Sequence, residues 1–151
     1  MIVRIEAMTT AAVAEILGGE KVLGRVVTRS ADLAQLVRDG IPAQALVVLA
    51  QRAGLRQAEV SSRFGISQRT LTRRIAQHSK LTAAESDRTV RLARVYAAAE
   101  ETLGDGDKAA EWLKTPNRAL GGVRPLDQLD TDPGVREVED VLGRIAYGVY
   151  S

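Results

Sequence analysis

An all-α fold is what this sequence predicts, and three observations predict it. The apolar residues are largely Ala, Leu and Val, with only five aromatics: Phe64, Tyr96, Trp112, Tyr147 and Tyr150. Such a composition favours helices over a β-sandwich. Apolar positions recur at three- and four-residue spacing through much of the chain, as one face of a helix requires. Helix start and stop signals punctuate the pattern, from Gly18-Gly19 to Asp132-Pro133.

The elements follow in order. Thr10 to Leu17 reads as a short helix stopped by Gly18-Gly19. Lys21 to Thr28, KVLGRVVT, is rich in β-branched residues and is expected to be extended. Ser30 suits the N-cap of a helix with Leu33, Leu36 and Val37 on one face and Gly40 as its stop. Pro42 opens the next helix, where its missing N–H costs nothing, and Ala53-Gly54 closes it. Two short segments follow, Leu55 to Phe64 and Gln68 to about Gln77, broken by Gly65-Ile66-Ser67. Thr82 and Glu85 fit a capping box, in which hydroxyl and carboxylate each satisfy a free backbone N–H. A long helix is expected from there to Leu103, with Leu92, Tyr96, Ala99 and Leu103 as its apolar stripe. Gly104-Asp105-Gly106 breaks it, and Asp107 to Lys114 forms a short helix ended by Thr115-Pro116. After a loop and a turn at Leu126 and Leu129, Asp132 is expected to cap a final helix with Pro133 at its first position. Val135, Val138, Val141, Leu142, Ile145 and Val149 line that helix.

Charge divides the chain. Residues 1–40 carry five basic and five acidic groups, residues 41–80 seven basic and one acidic, and residues 81–151 nine basic and thirteen acidic. The net charge of +2 is therefore the sum of a strongly basic block and an acidic one. The chain reads as a short N-terminal arm or oligomerisation segment over 1–40, a basic module over 41–80 and a helical module over 81–151.

Leu55 to Gln77 has the organisation of a helix-turn-helix. Gly65 permits the tight turn, and Ala58, Val60, Ile66 and Leu71 are expected where the helices touch, with Ile75 behind. Ser67, Gln68, Arg69, Thr70, Arg73 and Arg74 supply donors along the second helix. Arg forks onto guanine and Gln onto adenine in the major groove. Gln57 suits a phosphate contact at the start of the first helix. One such unit seldom binds tightly alone, so DNA binding implies a dimer or a larger assembly.

Other chemistry is excluded or weak. There is no cysteine, hence no disulfide and no thiolate, and the lone histidine, His78, has no suitably spaced carboxylate. Asp127, Asp130 and Asp132 suggest a metal at first sight, but caps and turns routinely use such residues. No catalytic residue, metal site or cofactor is expected. No apolar run approaches membrane-spanning length, and MIVRIEAMTT lacks a signal peptide's apolar block, which points to the cytoplasm.

The acidic half carries a more specific signal. Glu85-Ser86-Asp87-Arg88, Arg91-Leu92-Ala93-Arg94, Trp112-Leu113, Thr115-Pro116-Asn117, Ala119-Leu120-Gly121-Gly122, Pro125-Leu126 and Leu142-Gly143-Arg144-Ile145 through Tyr150 resemble the C-terminal domain of Xre/MbcA/ParS-type antitoxins. The resemblance extends upstream to about Gly18. It implies a helical, dimeric, cytoplasmic antitoxin of a type II toxin–antitoxin system, partnered with a RES-domain toxin that consumes NAD or transfers ADP-ribose from it. It also implies that the C-terminal end occludes the toxin's NAD-binding cleft. Helix-turn-helix regions of this family need not all bind operators strongly, but the donor-rich Gln68-Arg69-Thr70 with Arg73 and Arg74 argues for retained DNA binding, so repression of the chain's own operator is expected. The residues so assigned to toxin binding are Trp112, Asn117, Arg118, Arg144, Tyr147, Gly148, Val149, Tyr150 and Ser151. Trp112 and the terminal aromatics fit a covered core as well as an interface. A second reading is a stand-alone regulator whose acidic domain only dimerises.

Overall fold

The longest helix explains the rest. In a computed structural model, which describes the backbone of residues 2–148 and the side chains of residues 9–148, Thr82 Oγ1 accepts from Glu85 N at 3.1 Å. Glu85 Oε1 accepts in return from Thr82 N at 2.8 Å, so the expected capping box is formed. It launches a helix over Ala83–Leu103 that Gly104 ends in the left-handed region. Ser86, Thr89, Val90, Leu92, Ala93, Val95, Tyr96, Ala97 and Ala99 are all buried along it. A helix buried on more than one face must be central.

Numbered in chain order, the helices are α1 (Ile2–Ile16), α2 (Gly19–Leu23), α3 (Ser30–Asp39), α4 (Ala43–Arg52), α5 (Gln57–Phe64), α6 (Gln68–Ala76), α7 (Ala83–Leu103), α8 (Gly106–Lys114) and α9 (Asp132–Ala146). Two 3-10 turns, Arg118–Leu120 and Pro125–Gln128, lie between α8 and α9. The protein is all-α: among the described residues there is no strand, only isolated bridges such as Pro42 to Lys80. α1, α3, α8 and α9 all pack against α7. Within the segment 1–40, expected as an arm, residues 2–39 hold three helices, of which α1 and α3 lie on the central helix, with Val13, Leu17 and Leu36 buried.

Several local expectations need correction. Lys21 to Leu23 is helical, in α2, because Gly18 and Gly24 on either side both adopt positive φ and fold the chain into a single turn. Residues 24–28 of that stretch lack regular structure before α3. Ser30 is the first residue of α3 and not its cap. Arg29 occupies the cap position, because Asp32 reaches back to the N–H groups of Thr28 and Arg29 at 3.2 and 3.0 Å. Likewise Thr131 caps α9, its Oγ1 accepting from Gly134 N at 3.1 Å, and Asp132 opens the helix. Ala58 is exposed instead of lying between the helices, because Val60 and Phe64 carry the buried face of α5.

A buried hydrogen bond fastens the start of the basic block to α7. The buried Ser86 Oγ accepts from Ile41 N at 2.9 Å, satisfying a backbone donor at the α3–α4 turn. Gly40 makes that turn possible. Its φ is +91°, and a Cβ there would stand 2.5 Å from the carbonyl oxygen of Leu81.

Candidate nucleic-acid and toxin interfaces

α5 and α6 form the helix-turn-helix. Gly65, at φ 67°, ends α5 in the left-handed region. Ile66 is buried at the turn, and Ser67 Oγ caps α6 by accepting from Thr70 N at 3.1 Å. Ser67 also donates its hydroxyl to Thr70 Oγ1 at 2.9 Å, so of these two predicted DNA contacts Ser67 is spent on the cap, while Thr70 accepts there and keeps its own O–H. α6 buries none of its residues completely; Leu71 and Ile75 are half-buried against the core. Gln57, at the first turn of α5, and Gln68, Arg69 and Arg73, on α6, are exposed. Arg69 and Arg73 enter no ion pair among the described residues, so their guanidinium groups are available to an anionic partner.

Two arginines of the basic block behave differently. Arg74 Nη1 donates to Glu85 Oε1 at 2.6 Å, the same oxygen that accepts from Thr82 N. Burial pushes the Glu85 carboxyl up, but the Thr82 N–H and the Arg74 cation outweigh burial and hold it below its usual range. Arg63, on α5, donates through Nη1 to the Leu126 carbonyl at 2.9 Å and through Nη2 to Asp127 Oδ1. Arg124 grips the same carboxylate, Nε to Oδ2 at 2.9 Å and Nη2 to Oδ1 at 3.0 Å. Its Nη1 also stands 3.5 Å from Glu59 Oε2 on α5. Bonding from Arg124, then from Arg63, holds the Asp127 carboxyl at about 2. Asp127 is thus engaged by arginines, and Asp132 by Arg136 at 3.2 Å. Among the described residues no acidic or histidine cluster has the arrangement of a metal site. Sequence reasoning found the arginines but not these pairings, because the partners lie 64 and 11 residues away and no local spacing marks them.

The residues assigned to toxin binding are distributed more widely. Trp112, on α8, is half-buried against the core. Asn117 caps the 118–120 turn, Oδ1 accepting from Ala119 N at 2.9 Å, and pairs by backbone with Val123. Arg118 and Arg144 are exposed. α9 ends at Ala146, and Tyr147 beyond it is 87% exposed; Gly148 follows at φ 69°. Val149, Tyr150 and Ser151 lie outside the described residues. Val123, on the loop before Pro125, is another exposed apolar side chain.

Residues 32–94 match the family described as the antitoxin Xre-like helix-turn-helix domain. Residues 98–148 match the antitoxin Xre/MbcA/ParS C-terminal toxin-binding domain. The chain is 35% identical to the antitoxin Xre of Photorhabdus laumondii over 117 residues, 77% of this chain and 79% of that one. Against the antitoxin Xre of Yersinia enterocolitica the identity is 34% over 130 residues, 85% and 88% of the two chains. The chain belongs to the Xre antitoxin family. It is an antitoxin of a toxin–antitoxin system and not an enzyme, with a helix-turn-helix module followed by a toxin-binding domain. The first family match implies DNA as a partner and the second a toxin. A more distant relative, 27% identical over 125 residues, is the Prs ADP-ribosylating antitoxin of a Sphingobium strain, with 77% of this chain and 79% of that one aligned. No helix among the described residues is long and apolar enough to cross a membrane.

Proposed function

We propose that this Xre antitoxin inhibits a RES-domain toxin by placing its C-terminal end in the toxin's NAD-binding cleft, and that it represses its own operator as a homodimer in the cytoplasm. Tyr147 carries the first part. It lies within the toxin-binding match, and its ring stands almost fully in solvent at the end of a helix whose other face is buried. An exposed aromatic beside a firm scaffold is a favoured anchor for a protein partner. Gly148 allows the chain to turn there, leaving Val149, Tyr150 and Ser151 to follow it into a cleft shaped for an anionic dinucleotide. The name of the Sphingobium relative, an ADP-ribosylating antitoxin, agrees with a toxin of NAD chemistry. Trp112, Asn117, Arg118 and Arg144 complete the proposed toxin surface. Gln57, Gln68, Arg69, Thr70 and Arg73 form the proposed DNA surface, with Arg69 and Arg73 as its cations; Ser67 is spent on the α6 cap and Arg74 on Glu85.

The test is co-expression with the toxin of the neighbouring reading frame. Removing residues 147–151 is expected to abolish neutralisation while leaving the helical content and DNA binding unchanged. Full neutralisation by the shortened chain would sink the occlusion mechanism. Copurification of both proteins, followed by mass measurement, gives the stoichiometry and tests the dimer.

A further inference from the structure

Each helix of the helix-turn-helix is tied by one arginine to an acid of the acidic half. Arg63 on α5 is held by Asp127, and Arg74 on α6 by Glu85. Arg74 and Glu85 are largely buried, with side chains 23% and 13% exposed, so that pair is not an ordinary surface contact. Glu85 is fixed by the α7 capping box, and Asp127 is fixed by Arg124, which itself reaches Glu59 on α5. Neither acid can follow a moving arginine without breaking a second bond. Arg63 Nε is buried and makes no hydrogen bond among the described residues, so losing Asp127 would leave this part-buried cation still more poorly satisfied. Packing alone does not lock α6, since none of its residues is fully buried.

We infer that Glu85 and Asp127 are positioning residues for DNA reading: the toxin-binding half sets the angle of the helix-turn-helix through these two arginine pairs. Arg74 is then a brace and not a base reader. The inference rests on the operator binding proposed above. It makes the acidic half part of the DNA-reading apparatus, although its own charge repels phosphate. That repulsion supplies the discriminating sign. Neutralising either acid should tighten DNA binding if only net charge matters, and weaken specific binding if the acids position α5 and α6.

The experiment measures binding of the full chain to a duplex spanning the promoter of its own reading frame, with a scrambled duplex as reference. Glu85→Gln keeps a side chain that can cap α7, and Asp127→Asn keeps the shape of the carboxylate. Each is expected to cut the ratio of promoter to scrambled affinity by about fivefold or more, with scrambled binding unchanged or tighter. Arg74→Gln should lose as much as Glu85→Gln, and the double variant no more than either, because one interaction is being removed twice. Promoter affinity that is unchanged or higher in both acid variants overturns the inference. Arg74→Lys guards against a folding artefact, since it keeps a cation able to pair with Glu85. It should bind the promoter as wild type does, and a tenfold loss there, as expected of an Arg that forks onto a base, would also overturn the inference. A wild-type chain that does not prefer the promoter removes the operator reading itself, and the inference with it; preserved preference with insensitive variants removes the inference alone.

Discussion

α6 and α9 begin alike and are held differently. Each starts from a hydroxyl that accepts the N–H three residues on, Ser67 to Thr70 and Thr131 to Gly134, both at 3.1 Å. Each has one apolar face. α9 buries Gly134, Val135, Val138, Val141 and Leu142, whereas α6 buries nothing completely. α9 is therefore fixed by packing, which is tolerant of salt. α6 is fixed by a cap, two half-buried side chains and the Arg74–Glu85 pair, and most of its surface stays free. A helix that must enter a DNA groove cannot be sunk in its own core. α9, whose exposed aromatic Tyr147 lies just past its end, can be.

The contrast is broken most strongly by cavities. Leu142 is 2% exposed, and Leu142→Ala should cost about 2–5 kcal/mol of stability. Leu71→Ala, at a half-buried site on α6, should cost only about 1 kcal/mol. Urea denaturation of the two variants compares them directly, and equal losses would mean that α6 is packed as tightly as α9. Gly134→Ala attacks α9 from the other side. Its Cβ would stand 1.9 Å from the Gln128 carbonyl oxygen, so the 125–128 turn must move, at about 1–3 kcal/mol. The same urea titration should show a lower midpoint with an unchanged slope.

Acid should act on the ion pairs and spare the packing. The Asp127 carboxyl lies at about 2 in the fold against 3.8 as its ordinary value. Its contribution is fully present above pH 3.8 and is lost as pH falls towards 2. Asp127→Asn should flatten the acid limb of stability against pH in that window while leaving the neutral region nearly parallel to wild type. An acid limb of the same steepness in both proteins would place the proton uptake elsewhere.

The smallest effect compares the two helix ends. α6 closes with a Schellman pattern, Ser79 N to Arg74 O at 2.7 Å and His78 N to Ile75 O at 3.1 Å. It does so with His78 at φ 53°, where α9 has Gly148 at φ 69°. His78→Gly relieves that backbone and should raise stability by no more than about 1 kcal/mol. A rise in melting temperature without change in promoter binding is expected; weaker promoter binding would show that the imidazole touches DNA.

Local chemistry was the legible part. Thr82 and Glu85 lie three residues apart, and Gly65 sits between two short periodic segments, so the capping box and the turn of the helix-turn-helix could be read directly. The Arg29 cap was misread because its partner, Asp32, acts backwards from inside the helix. Lys21–Leu23 was misread because β-branched neighbours outweighed two flanking glycines. The most consequential omission was long-range. Arg63 and Arg74 look like their neighbours Arg69 and Arg73 in sequence, and only folding separates braces from free cations.

The helix α7 spans Ala83–Leu103, the helix-turn-helix match ends at 94 and the toxin-binding match begins at 98. The seam between the two domain matches thus falls inside a continuous helix, with no linker to absorb changes of length. Gaining or losing one residue there would turn everything beyond it by about 100° and shift it by about 1.5 Å. Tyr147 would then point to a different quarter of the compass relative to α6. Seven residues, about two turns, would nearly restore the phase. Lineages that carry both functions should therefore vary in loop length and keep the count of residues along this shaft.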